Sequence, residues 1–155
     1  MTIPAGDYSF LQHAISYQNP RNAAFAYKIG YVKGPFYSGD SDQLIINTSW
    51  RPVPSLNVGF DLNQYWIRLK EGRFKTSLAL ARLDFSFNPN LGVANFLQYD
   101  TISKNIGLQS RLYWIIKPGN EVYLVFNQEW KGNVLDRFEA LRSDLRAKLN
   151  YTFRF

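Results

Sequence analysis

Apolar and polar residues alternate with a period of two along most of the chain. At the end, Leu145, Ala147, Leu149, Tyr151, Phe153 and Phe155 are set against Arg146, Lys148, Asn150, Thr152 and Arg154. A helix would mix these two sets, whereas an extended strand puts them on opposite faces. The same alternation sets Val122, Leu124, Phe126, Gln128 and Trp130 against Glu121, Tyr123, Val125, Asn127 and Glu129. It sets Ile106, Leu108, Ser110, Leu112, Trp114 and Ile116 against Asn105, Gly107, Gln109, Arg111 and Tyr113. Upstream, Leu56, Val58, Phe60, Leu62 and Trp66 oppose Asn57, Gly59, Asp61 and Asn63. Leu44, Ile46, Thr48 and Trp50 oppose Gln43, Asn47, Ser49 and Arg51, and Phe25, Tyr27, Ile29 and Tyr31 oppose Ala24, Ala26, Lys28 and Gly30.

Such segments run about 9 to 13 residues, longer than ordinary soluble strands and long enough for a tilted strand to cross a bilayer. Three segments are less regular. Between Phe74 and Phe87 the apolar phase switches from Phe74, Leu78 and Leu80 to Leu83, Phe85 and Phe87, which predicts a one-residue bulge near Ala81 and Arg82. Leu91 to Tyr99 is apolar on both faces, with Val93, Leu97 and Tyr99 assigned outward by analogy with their neighbours. In Tyr8 to Tyr17, Tyr8 and Phe10 share one face while Leu11, Ile15 and Tyr17 share the other.

The connectors form two sets. Asn19-Pro20-Arg21-Asn22, Pro52-Val53-Pro54-Ser55, Asn88-Pro89-Asn90 and Pro118-Gly119-Asn120 are tight and rich in turn formers. Lys33 to Ser41, Lys70 to Arg73, Asp100 to Lys104 and Lys131 to Asp144 are mostly longer and more charged. In an antiparallel meander successive connectors fall at opposite ends, so the tight turns share one rim and the charged segments the other. This is the asymmetry of an outer-membrane barrel, with short periplasmic turns and longer outside loops. Within the last charged segment, Val134, Leu135, Phe138 and Leu141 suit either one amphipathic helix or an extended final hairpin. Gly34 to Gly39, with Phe36 and Tyr37, suits either a surface-binding loop or a glycine-relieved turn.

Composition explains where the rings go. Of 155 residues 17% are aromatic and only 19% charged, yet no apolar run approaches the roughly 20 residues of a spanning helix. Tyr31, Trp50, Trp66, Trp114, Trp130, Tyr151 and Phe155 fall near segment ends, the position of aromatic girdles at the two headgroup layers. The polar face then becomes a lumen carrying Arg51, Asp61, Arg82, Asp84, Arg111, Glu121, Glu129, Arg146, Lys148 and Arg154. Isolated charges in so narrow a space are costly, so pairing is expected. The expected fold is all-β, a transmembrane antiparallel up-and-down barrel of eight strands, nine or ten being the alternatives, with a charged lumen. An ordinary soluble β-sandwich would bury the same rings, but its strands are shorter and seldom so charged on one face.

Chemistry is scarce. With no Cys and one His, disulfides and thiolate metal sites are excluded and zinc is disfavoured. His13 is the one imidazole available as a base, and Asp61, Asp84, Glu121 and Glu129 supply the carboxylates for acid–base work. A bystander histidine and a charge-paired lumen are the simpler readings. No phosphate-loop, dinucleotide or zinc-protease motif occurs, and no cofactor is expected. The net charge of +6 suggests an anionic partner, but cations and rings lie on opposite faces of the same strands, which disfavours nucleic acid. No basic segment followed by an apolar run and a cleavage site opens the chain, so a mature chain or a fragment is expected.

Several stretches carry a resemblance. They are Ile3-Pro4-Ala5-Gly6-Asp7-Tyr8, Gly34-Pro35-Phe36-Tyr37-Ser38-Gly39, Ser49-Trp50-Arg51-Pro52, Ala81-Arg82-Leu83, Phe96-Leu97-Gln98-Tyr99-Asp100 and Arg111-Leu112-Tyr113-Trp114, followed by Pro118 to Asn127. Together they resemble the C-terminal barrel portion of a bacterial family of unknown function, whose full-length members carry an N-terminal carbohydrate-binding-like domain. The Arg-Leu-x-Trp followed by Pro-Gly-Asn-Glu is the most specific part. The resemblance implies the last portion of a larger barrel and offers no activity to carry over. Tyr151, Phe153 and Phe155 also resemble the C-terminal signal by which the outer-membrane assembly machinery recognises barrels.

Nine candidate segments strain the even strand number of single-chain bacterial barrels. Three outcomes stand: eight strands with Met1 to Gln18 as a tail or plug, a closed nine- or ten-strand form, or two fragments self-associating through unpaired edges. The functional expectation is an outer-membrane anchor or scaffold, or part of a conduit, without catalysis and with its C-terminus periplasmic. The competing expectations are a soluble barrel holding an apolar ligand and a lipid-modifying enzyme.

Overall fold

The computed structural model describes residues 10–132 and 137–152. Nine strands follow one another as an antiparallel meander in a single sheet: β1 (His13–Gln18), β2 (Phe25–Phe36), β3 (Gly39–Val53), β4 (Leu56–Leu69), β5 (Gly72–Asn88), β6 (Leu91–Asp100), β7 (Asn105–Lys117), β8 (Asn120–Gly132) and β9 (Phe138–Tyr151). The expected eight strands are therefore nine, and the segment expected as a tail or plug supplies β1. Tyr8, at the start of the expected first segment, and Phe153, Arg154 and Phe155 lie outside the described residues. Among the described residues β1 pairs only with β2 and β9 only with β8. The sheet is open where a closed barrel was expected.

The register confirms the two-face pattern strand by strand. Phe25 pairs with Trp50, Ile29 with Ile46 and Tyr31 with Leu44, all on the apolar face. That face continues through Leu62, Leu83, Val93, Leu112 and Leu124 to Leu149. Val93, Leu97 and Tyr99 share it, as analogy assigned them.

The phase switch in β5 has a different cause from the expected bulge. Pairing with β4 is unbroken from Leu56–Phe85 to Leu69–Gly72, and pairing with β6 is unbroken from Leu78 to Ser86. Phe74, Leu78 and Leu80 instead lie on the polar face, beside Ile67, Asn63 and Asp61 respectively. The register shifts that do occur lie at Trp50/Val53, Ser86/Asn88, Ile115/Lys117 and Glu129/Trp130. Three of these adjoin tight turns.

Three of the four charged connectors also differ from expectation, because strands consume much of them, while Asp100 to Lys104 stays a connector between β6 and β7. β2 and β3 absorb most of Lys33 to Ser41 and leave only Tyr37 and Ser38 between them, so the glycine-relieved turn is realised. Tyr37 takes the left-handed conformation there, with φ of 51°. Gly39 is required just beyond, since a Cβ would stand 1.9 Å from the Arg68 carbonyl oxygen. Phe138 and Leu141 belong to β9, so the final hairpin is extended; Val134 and Leu135 lie outside the described residues.

Candidate functional site: the polar face

Because side chains alternate across the pleat, the same residues that make one face apolar leave the other to ions and amides. The polar face bears two neighbouring networks. In the first, Asn47 donates its Nδ2 to Asp61 at 3.0 Å, and Arg82 pairs with Asp61 at 2.8 Å. Arg82 lies across Gly59, where a Cβ would be 3.0 Å from its Nε. Ser49 donates to Asn57 at 2.8 Å, and Asn57 donates to Asp84 at 3.0 Å.

In the second network, Gln109 donates to Asn127 at 2.9 Å, and Asn127 donates to Asp144 at 3.2 Å. Asp144 takes Arg146 at 3.0 Å and Arg142 at 3.9 Å. Asn105 donates to Glu129 at 3.1 Å, while Glu121 accepts from the Tyr123 hydroxyl at 2.9 Å and from Asn150 at 3.4 Å. The Arg111 guanidinium sits 4.9 Å from the centre of the Phe96 ring, a cation–π distance.

Both networks line hollows. One of about 710 Å³ spans β5 to β9 and is lined by Leu80, Phe96, Asn127, Glu129, Arg142 and Asp144 among others. One of about 530 Å³ is lined by Gln18, Lys28, Asn47, Asp61 and Arg82 among others. Hollows spanning several strands form where a sheet curves around them, so the polar face is the concave one.

Of the ten charges expected in a lumen, Asp61, Arg82, Asp84, Arg111, Glu121, Glu129, Arg146 and Lys148 share this face. Arg51 does other work at the rim: its Nη2 donates to the carbonyls of Arg21 at 2.6 Å and Ala23 at 3.3 Å, holding the β1–β2 turn. The four carboxylates once available as an acid–base pair each have amide, hydroxyl or guanidinium partners. His13 sits on the opposite face, across from Lys33 and beside Ile15. The girdle residues Tyr31, Trp50, Trp66, Trp114, Trp130 and Tyr151 all lie on the apolar face.

Sequence reasoning missed two features. One is the role of Asn47, Asn57, Gln109 and Asn127 as relays between charges; their shared period-two phase was the available signal. The other is a cluster on the far end of the apolar face, where Asp42 accepts from Tyr31 and pairs with Arg68, with Lys33 at 4.0 Å. Lys75 stands 6.0 Å from the Trp66 ring centre nearby. No protein-family profile, curated protein or solved structure matches the chain.

Proposed function

We propose that this chain is the membrane-embedded wall of an outer-membrane β-barrel, acting as an anchor or scaffold and not as a catalyst. The observation that carries this reading is the sense of the two faces. The concave face holds paired ions and amides, while the opposite face presents Leu145 at 69% exposure and Leu149 and Ile15 at 74%. Nothing in the single described sheet covers that apolar surface, and acyl chains are the solvent it suits.

From Phe25 to Tyr31 the apolar side of β2 spans six residue steps, about 20 Å of strand at roughly 3.4 Å each. At the tilt of about 40° usual in such walls this rises about 15 Å, so it fits within the apolar band of about 25 Å. A barrel storing an apolar ligand would need most of its rings and leucines on the concave side, whereas ions and amides outnumber Leu80 and Phe96 around the hollows, which favours the membrane reading.

Spin labels at 145 through 149 in lipid vesicles test it. Labels at Leu145, Ala147 and Leu149 should collide preferentially with dissolved oxygen, and those at Arg146 and Lys148 with a water-soluble nickel chelate. The reverse phase would overturn the reading.

A further inference from the structure

The two open edges differ in chemistry but agree in direction. β1 starts at His13 beside Lys33, and β9 starts at Phe138 beside Gly132, so both begin at the rim holding the 37–38 and 70–71 turns. Both end at the opposite rim. Joining them directly would therefore make a parallel pair, although every pair in the sheet is antiparallel.

In a bilayer each unpaired backbone group costs several kcal/mol, so open edges cannot persist there. A second copy inserted in the same sense would again offer parallel edges. A copy inserted upside down would bring β9 against β9. The polar side of β9 carries Arg142, Arg146 and Lys148 against Glu139 and Asp144, so cations outnumber carboxylates and two such edges brought together would carry a surplus of like charge. Arg142 and Arg146 are 67% and 71% exposed, with room on the open side for another strand.

We infer that the edges of β1 and β9 receive an odd-numbered run of antiparallel strands of different sequence, the strand against β9 presenting carboxylates on the polar face. The inference rests on the membrane reading for its energetic cost and on strand direction for its geometry. An odd run has both outer strands directed opposite to β1 and β9, so each junction is antiparallel and the total is even.

The test uses the full chain in lipid vesicles. Appending a second Asn120–Gly132 segment ahead of Met1 supplies one strand of the right direction, with Glu121 and Glu129 equivalents for the β9 cations. Cysteines in that strand and at Leu145 should form a disulfide, and the extended chain should gain a compact, heat-sensitive band on gels. Appending two strands, Asn120 through Tyr151, should not give the compact band, since the second appended strand would meet β1 in parallel.

Placing Lys at both glutamate equivalents should cut disulfide yield by about threefold to tenfold; unchanged yield would remove the carboxylate requirement. In the parent chain, a disulfide between Ile15→Cys and Leu145→Cys, within or between copies, would overturn the inference. So would one between two Leu145→Cys copies. Vesicle flotation of every variant reads the membrane proposal separately, since disulfide patterns report edge pairing whether or not the chain floats.

Discussion

β2 to β5 and β6 to β9 share one sheet but treat their far ends differently. β6 meets β5 only from Leu78 onward, which leaves Gly72 to Ser77 of β5 projecting past it, tied by the Ser77–Thr101 backbone contacts. On the projecting part the face code is inverted. The side continuous with the apolar face carries Lys33, Asp40, Asp42, Arg68, Arg73 and Lys75. The side continuous with the polar face carries Phe36, Ile67, Leu69 and Phe74. Among the described residues Ile67 and Leu69, at 8% and 9% exposure, are the buried hydrophobic side chains. β6 to β9 show no such exchange, since Tyr99, Ile106 and Trp130 keep the apolar face nonpolar to its end. Under the membrane proposal, the inverted part is the section that has left hydrocarbon and meets water.

This contrast breaks most visibly under an introduced charge. Leu62→Arg, on the apolar band, should cost about 2–4 kcal/mol in lipid if it lies near the bilayer middle, while Ser77→Arg, on the same face near the projection, should cost under about 1 kcal/mol. Denaturant unfolding from vesicles measures both, and equal costs would erase the boundary. A cavity sharpens the same comparison. Ile67→Ala should cost about 2 kcal/mol, the low end for a buried aliphatic. Leu149→Ala, 74% exposed, should cost less than about 1 kcal/mol, because it creates no cavity. Matching the two by unfolding in one lipid would show whether the projection behaves as a soluble core.

Much of this was legible in the chain, for a definite reason. Period-two alternation fixes which residues share a face wherever one environment covers the whole strand and no shift interrupts it, as in β8 and in β9 from Arg142 onward. It fails where a strand passes between two environments. The switch from Phe74 and Leu80 to Leu83 and Phe87 was visible, but a bulge and a change of surroundings leave the same trace. Register with Ile67 and Asp61 excludes the bulge: Phe74 lies on the projection, whereas Leu80, between Asp61 and Gln98, is an apolar residue within the polar face itself. Strand ends were likewise hidden, because Lys33, Asp40 and Arg142 look like loop charges until a partner strand is seen to pair with them. The ion pairs depend on registers that alternation does not encode: Asp61 finds Arg82 across two strands, and Arg51, in the same phase, is drawn to a turn.

Asp42 gives a smaller effect confined to the projection. It is 6% exposed and gathers Tyr31, Arg68 and Lys33. Asp42→Asn should cost about 1 kcal/mol, since Arg68 and Lys33 are themselves partly solvated and rehydrate. Arg68→Leu combined with Asp42→Leu should recover part of that loss, and additivity in the double-mutant cycle would show the pair to be uncoupled.

The smallest effect is a pH response at the tip. Glu71, in the turn between β4 and β5, accepts a hydrogen bond from the Ser38 hydroxyl in the neighbouring β2–β3 turn. That bond, helped by its own backbone amide, holds the Glu71 carboxyl below its ordinary value of 4.5. A depressed folded value means the tie between the two hairpins is fully present above the unfolded value and is lost as pH falls through the folded one. Carboxyl carbon shifts should therefore give a Glu71 midpoint under 4.5, and Ser38→Ala should move it upward. The apolar-band residues should show no matching transition, because the tip lies outside the band. A Glu71 midpoint unmoved by Ser38→Ala would mean that the two turns of the projection are not joined through this bond.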